Sequence, residues 1–79
     1  MKTETRPYFL GGEQRVIQVS EDRKYSIIPQ PKGMEVHSNL YEVAVIYKGK
    51  LDETEILGAY LTEAEVVSLL GARLLAGIL

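Results

Sequence analysis

The stretch Tyr41-Glu42-Val43-Ala44-Val45-Ile46-Tyr47-Lys48 decides the fold class. Tyr41, Val43, Val45 and Tyr47 fall on one side, and Glu42, Ala44, Ile46 and Lys48 on the other. That is the two-residue period of a β-strand. Its β-branched and aromatic content suits a pleated, largely buried position. Gly49 to Glu53 reads as a turn, and Thr54 to Leu61 as the returning partner strand. Gly58 weakens that return and marks either a bulge or a close approach by a helix.

Immediately behind lies Thr62-Glu63-Ala64-Glu65, a capping box. The Thr62 hydroxyl can accept from the Glu65 amide while Glu65 reaches back to the Thr62 amide. Glu63 and Glu65 also set negative charge at the positive end of the helix dipole. A helix is therefore expected from about Glu63 to near the C-terminus.

Working toward the N-terminus, Met34 to His37 alternates as a short, half-exposed edge strand, and Ser38-Asn39 as a turn or bulge. Pro29-Gln30-Pro31-Lys32-Gly33 should stop the strand before it, since proline cannot donate to a ladder. Two runs precede that stop: Arg15 to Ser20 with Val16, Ile17 and Val19, and Lys24 to Ile28 with Tyr25, Ile27 and Ile28. The polar Glu21-Asp22-Arg23 between them suits a hairpin connection. Residues 1–12 read as an extended arm, punctuated by Pro7 and Gly11-Gly12, whose Tyr8, Phe9 and Leu10 dock on the body. The expected fold is α+β: one small antiparallel sheet of about four strands in two hairpins, with room for a fifth, carrying one C-terminal helix on a face.

Composition narrows the chemistry. The chain has 79 residues, 46% hydrophobic and 25% charged, with a formal charge of −2. That is one domain of ordinary globular composition. The absence of cysteine excludes disulfides and thiolate metal sites, and a single histidine disfavours a histidine-based zinc site. Of the usual staples for so small a fold, oligomerisation is the one left open. Met1 to Arg6 is polar with no apolar run behind it, which predicts no secretory signal. Val66 to Leu79 is too short to span a bilayer and holds Arg73, so a cytoplasmic location follows by default.

The expected helix has more apolar surface than one sheet can cover. Val66, Val67, Leu70, Leu74 and Ile78 form a stripe suited to the sheet. Leu69, Ala72, Leu75, Ala76 and Leu79 spread over the flanks and back, where small Ala72 and Ala76 would let a second helix approach. Either the arm covers this surplus through Tyr8, Phe9 and Leu10, or another chain does.

Catalytic patterns are weak. His37 is followed by Ser38, but neighbours on a strand point to opposite faces and form no dyad. Asp52, Glu53 and Glu55 read as a solvated turn, and Glu63 and Glu65 as a cap, so neither group predicts a metal site. Gly11-Gly12 leads into a strand, whereas a phosphate loop opens a helix. No cofactor is expected, and no membrane surface binding, because the helix lacks a basic face.

The expectation is thus a non-enzymatic interaction protein. It would be an accessory, regulator or inhibitor, of the kind common among phage and mobile-element accessory proteins. It would act as a homodimer or on a protein partner through Leu69, Ala72, Leu75, Ala76 and Leu79. One alternative is single-stranded nucleic-acid binding by Arg15, Arg23, Lys24 and Tyr25, with stacking and phosphate contacts from the first hairpin. Another is a small-ligand site at a dimer interface near Tyr41, Tyr47 or Tyr60.

Overall fold

The structure, a computed structural model, describes residues 2–48 and 53–78. Of the expected turn at residues 49–53, residues 49–52 lie outside the described residues and Glu53 already belongs to the strand that follows; the side chains of residues 76–79 also lie outside the described residues. Five strands, β1 (Lys2–Pro7), β2 (Glu13–Gln18), β3 (Arg23–Lys32), β4 (Glu35–Tyr47) and β5 (Glu53–Leu61), precede one helix, α1 (Glu63–Ile78). The strands form a single antiparallel meander in the order β1-β2-β3-β4-β5. The α+β class holds, with a sheet one strand wider than the four expected.

The extra strand comes from the N-terminal arm. Lys2 to Pro7 pairs residue for residue with β2, from Lys2 opposite Gln18 to Pro7 opposite Glu13. Its composition, Lys-Thr-Glu-Thr-Arg-Pro, buries nothing, so no apolar alternation announced it. Ladder hydrogen bonds need no side chain. A side-chain relay reinforces the edge: Arg6 Nε donates to Gln14 Oε1 at 3.1 Å, and Gln14 Nε2 to Ser26 Oγ at 2.9 Å.

Two expected boundaries dissolve. β3 runs through Pro29 and Pro31 to Lys32, where it was expected to stop. The β2 pairing ends at Ile27, so both prolines fall where β3 has β4 alone as neighbour, an edge-like setting that tolerates them. A register shift lies between them. The two runs expected at Met34–His37 and Tyr41–Lys48 are likewise joined, as one strand β4 from Glu35 to Tyr47, bent at Asn39, whose φ of 63° takes up the irregularity. Asparagine tolerates this left-handed region better than most residues.

The alternation in Tyr41 to Tyr47 orients the whole molecule. Tyr25, Ile27, Val43, Val45, Val66 and Leu70 form the buried core, with Ile17, Val19, Tyr41, Tyr47, Leu57, Leu61, Leu69 and Leu74 packed around it. All the β3 and β4 members have odd numbers and share the sheet face under α1. The opposite face carries Glu4, Val16, Ser26, Ala44 and Ile56 as one cross-strand row.

The helix begins where the capping box sets it. Thr62 N–H donates to Glu65 Oε1 at 2.9 Å, and Glu65 N–H to Thr62 Oγ1 at 3.2 Å. These backbone and hydroxyl donors hold the Glu65 carboxyl below its ordinary pKa. The buried stripe is rotated from the one expected: Val66 and Leu70 are buried, Leu69 turns inward, and Val67 points out. Gly58 is the reason. A Cβ there would stand 2.8 Å from Leu61 Cδ1 and 3.4 Å from Leu69 Cδ2, so the missing side chain makes room for Leu69. β5 shifts register against β4 on both sides of Val43, whose partner is Gly58, so the expected bulge and the expected close approach coincide.

Candidate functional site

Two surfaces hold the residues that the sequence singles out. The first is the outward side of α1. Val67 is 62% exposed and Leu75 is 69% exposed, and Ala64, Ser68, Gly71 and Ala72 between and beside them are exposed as well. Positions 64, 67, 68, 71, 72 and 75 recur at helical spacing and share one side of the helix. None of them is charged. Gly71 has nothing within 4 Å of where a Cβ would stand.

The N-terminal segment does not cover this surface. Tyr8, Phe9 and Leu10 sit in the turn between β1 and β2, where Phe9 is 84% exposed and stacks edge-on against Tyr8 at 4.9 Å. That turn approaches Pro29 and Val36, through Gly12 and Gly11 respectively. The helix packs on β4 and β5, so the internal cover expected of the arm is not what the chain builds.

Of the five expected interface residues, Ala72 and Leu75 lie on the open side, and Leu69 packs against the core. The side chain of Ala76, and Leu79 altogether, lie outside the described residues. Val67 belongs to the surface, not to the sheet-facing stripe in which helical spacing alone puts it. Only the position of Gly58 opposite Leu69 could have signalled the exchange, and that depends on register.

The second surface is an open cleft of about 420 Å³ beyond the N-terminus of α1. It is bordered by Glu13, Arg15, His37, Ser38, Tyr41 and Glu63 among others. Arg15 Nη1 donates to Glu63 Oε1 at 2.6 Å and Nη2 to Oε2 at 2.8 Å. The guanidinium also lies 5.2 Å from the centre of the Tyr41 ring. The hydrogen-bonded arginine holds the Glu63 carboxyl below its ordinary pKa, and Glu63 raises that of Arg15. His37 is half-buried, its ring edge-on to Tyr60 at 5.7 Å. It borders the cleft together with Ser38, where the bend in β4 lies.

Nearby, Gln30 is buried and accepts the Tyr60 N–H on Oε1 at 2.8 Å. Tyr60 has a φ of 55°, a costly conformation for a tyrosine. The buried amide thus secures the backbone just before α1.

The four residues of the nucleic-acid alternative do not form one surface. Tyr25 is buried under the helix and offers no ring to a base. Arg15 is committed to Glu63. Lys24, opposite Ile46, lies on the far side of the sheet from Arg23 and Tyr25. Of the tyrosines of the ligand alternative, Tyr41 borders the cleft and Tyr60 lies against His37 at its border, whereas Tyr47 stands at the far end of β4, where Tyr25 foremost and Tyr47 after it raise the pKa of the Arg73 guanidinium.

Among the described residues, no group of three or more His, Cys, Asp or Glu could hold a metal ion. No described helix is long and apolar enough to cross a membrane. Compared with protein-family models, curated proteins and solved structures, the chain gives no match.

Proposed function

We propose that this chain is a non-enzymatic interaction protein that binds another protein through the outward side of α1. The observation that carries this reading is the exposure of Val67 and Leu75 on an uncharged helix side, with no segment of the described chain over it. Scattered exposed apolar residues need no explanation, but a contiguous uncharged strip does. Gly71 adds to it. A mid-helix glycine in open space costs about 1 kcal/mol relative to alanine and gives the fold nothing in return. It does let another backbone approach closely.

The chemistry of the strip selects the partner. Without basic residues it has no attraction for phosphates or anionic lipid headgroups. An apolar protein surface complements it. The test is capture of binding proteins by the wild type, by Val67→Asp and by Leu75→Asp, with Lys24→Glu as a control on the far side of the sheet. The two helix variants should lose the captured protein while melting at the wild-type temperature, and the control should keep it. Equal capture by all four would remove the helix from the interface.

A second reading is favoured by the cleft, where Glu13, Arg15, His37, Tyr41 and Glu63 converge from segments far apart in the chain. A small polar ligand would be its occupant. Thermal shifts across a panel of small carboxylates and amines, compared between the wild type and Tyr41→Ala, test it.

A further inference from the structure

The two edges of the sheet differ in kind. β5 is bent by its register shifts and by Tyr60, and Glu53 and Glu55 stand exposed along it. Such an edge resists pairing. β1 is straight in register with β2 over six residues, exposed throughout, and has no second strand neighbour among the described residues.

Its free backbone groups can be assigned. The Tyr8 N–H donates to the Gly12 carbonyl at 2.9 Å, so Tyr8 turns its backbone toward the β2 side. Orientation alternates along an antiparallel ladder, which turns Arg6, Glu4 and Lys2 the same way. Thr3 and Thr5 therefore present N–H and C=O outward, and Pro7 falls in the same outward series. Its missing N–H costs the β1–β2 ladder nothing. Side chains alternate as well, placing Lys2, Glu4 and Arg6 on one face of the sheet.

We propose that two copies of this chain pair antiparallel through β1 about a two-fold axis at Thr5, joining their sheets edge to edge. In that register the two Thr5 residues exchange a pair of backbone hydrogen bonds. The Thr3 N–H of each copy donates to the Pro7 carbonyl of the other. Glu4 of each copy lies opposite Arg6 of the other, in non-hydrogen-bonded pairs where side chains approach most closely. The Arg6 bond to Gln14 uses Nε and leaves the terminal nitrogens for this contact.

Charge selects the register. An axis at Glu4 would oppose Glu4 to Glu4 and, twice, Lys2 to Arg6, so that every charged pair in the contact would be of like sign. An axis at Thr3 pairs Lys2 with Glu4 but leaves Thr5, Arg6 and Pro7 of β1 without a β1 partner. The axis at Thr5 pairs Thr3 to Pro7, five of the six residues of β1. Because α1 packs on β4 and β5, the pairing leaves both helices free and makes the assembly bivalent. One short strand buries less than the roughly 800 Å² per partner of a standard stable interface, so the association is reversible.

Sedimentation velocity over a dilution series tests this on the wild type, Glu4→Arg, Arg6→Glu, the double variant, Thr5→Pro and Leu75→Asp. The wild type should dimerise reversibly. Each single charge reversal should weaken the dimer about tenfold, and the double reversal should restore it. Thr5→Pro removes only an outward N–H, so it should stay folded by circular dichroism and sediment as a monomer. Leu75→Asp should dimerise like the wild type, which separates this contact from the helix surface. A wild type that stays monomeric at every concentration would overturn the proposal. So would a dimer lost in Leu75→Asp, or a double reversal that fails to restore it.

Discussion

Arg15 on β2 and Glu63 at the first turn of α1 are joined by two hydrogen bonds across 48 residues of chain, and Arg15 lies against the face of Tyr41. This clamp ties the start of the helix to β2, with β3 between it and the β4 strand on which the helix packs. Because both side chains are partly exposed, solvent screening keeps its contribution modest. Glu63→Gln should lower stability by about 0.5–1 kcal/mol, read as a melting-temperature fall of a few degrees. Arg15→Lys should lose a similar amount, because an ammonium cannot make the forked contact. An unchanged melting temperature in both would show that the clamp carries no stability.

Acid should weaken the fold at the same helix end. The carboxyls of Glu63 and Glu65 both lie below their ordinary value of 4.5, through Arg15 and through the Thr62 cap. Groups whose folded pKa is depressed stabilise fully above the unfolded value and lose that contribution as pH falls through the folded one. Stability followed by urea unfolding should therefore decline as pH drops below about 4.5. The decline should be shallower in a Glu63→Gln, Glu65→Gln double variant.

Gln30→Leu should cost about 1–3 kcal/mol, although leucine suits a buried position. It would leave the Tyr60 N–H without its acceptor at a residue already held in the left-handed region. A chemical-denaturation midpoint equal to the wild type would contradict the role given to that amide.

Two glycines should respond in opposite directions. Gly58→Val would push branched methyls into Leu61 and Leu69 and cost roughly 1–3 kcal/mol. Gly71→Ala meets open space in a helix and should gain about 0.5–1 kcal/mol. Thermal unfolding of the two single variants checks both signs.

The legible part of this fold was the part written in side-chain periodicity. Tyr41 to Tyr47 announced its own buried face, and Thr62 to Glu65 its own cap. β1 was not legible because Lys2 to Pro7 is held by ladder bonds and the Arg6–Gln14–Ser26 relay, which leave no apolar pattern. Pro29 and Pro31 misled because proline forbids a second neighbour, not a first, and neighbours are set by topology. The exchange of Val67 for Leu69 followed from the register that brings Gly58 under the helix. The cleft was illegible for a related reason: Glu13, Arg15, His37 and Glu63 are common residues that acquire meaning only when the meander collects them. The surplus of apolar residues on α1 could be read directly, since a single sheet covers only one side of a helix.

The most direct test of the central claim is site-specific photo-crosslinking in the cells that make the protein. A photoreactive residue would be placed in turn at Val67, at Leu75 and, on the far side of the sheet, at Lys24. The account predicts a discrete adduct with another protein from positions 67 and 75 and none from position 24. Adducts from position 24 alone, or none from either helix position, would contradict it.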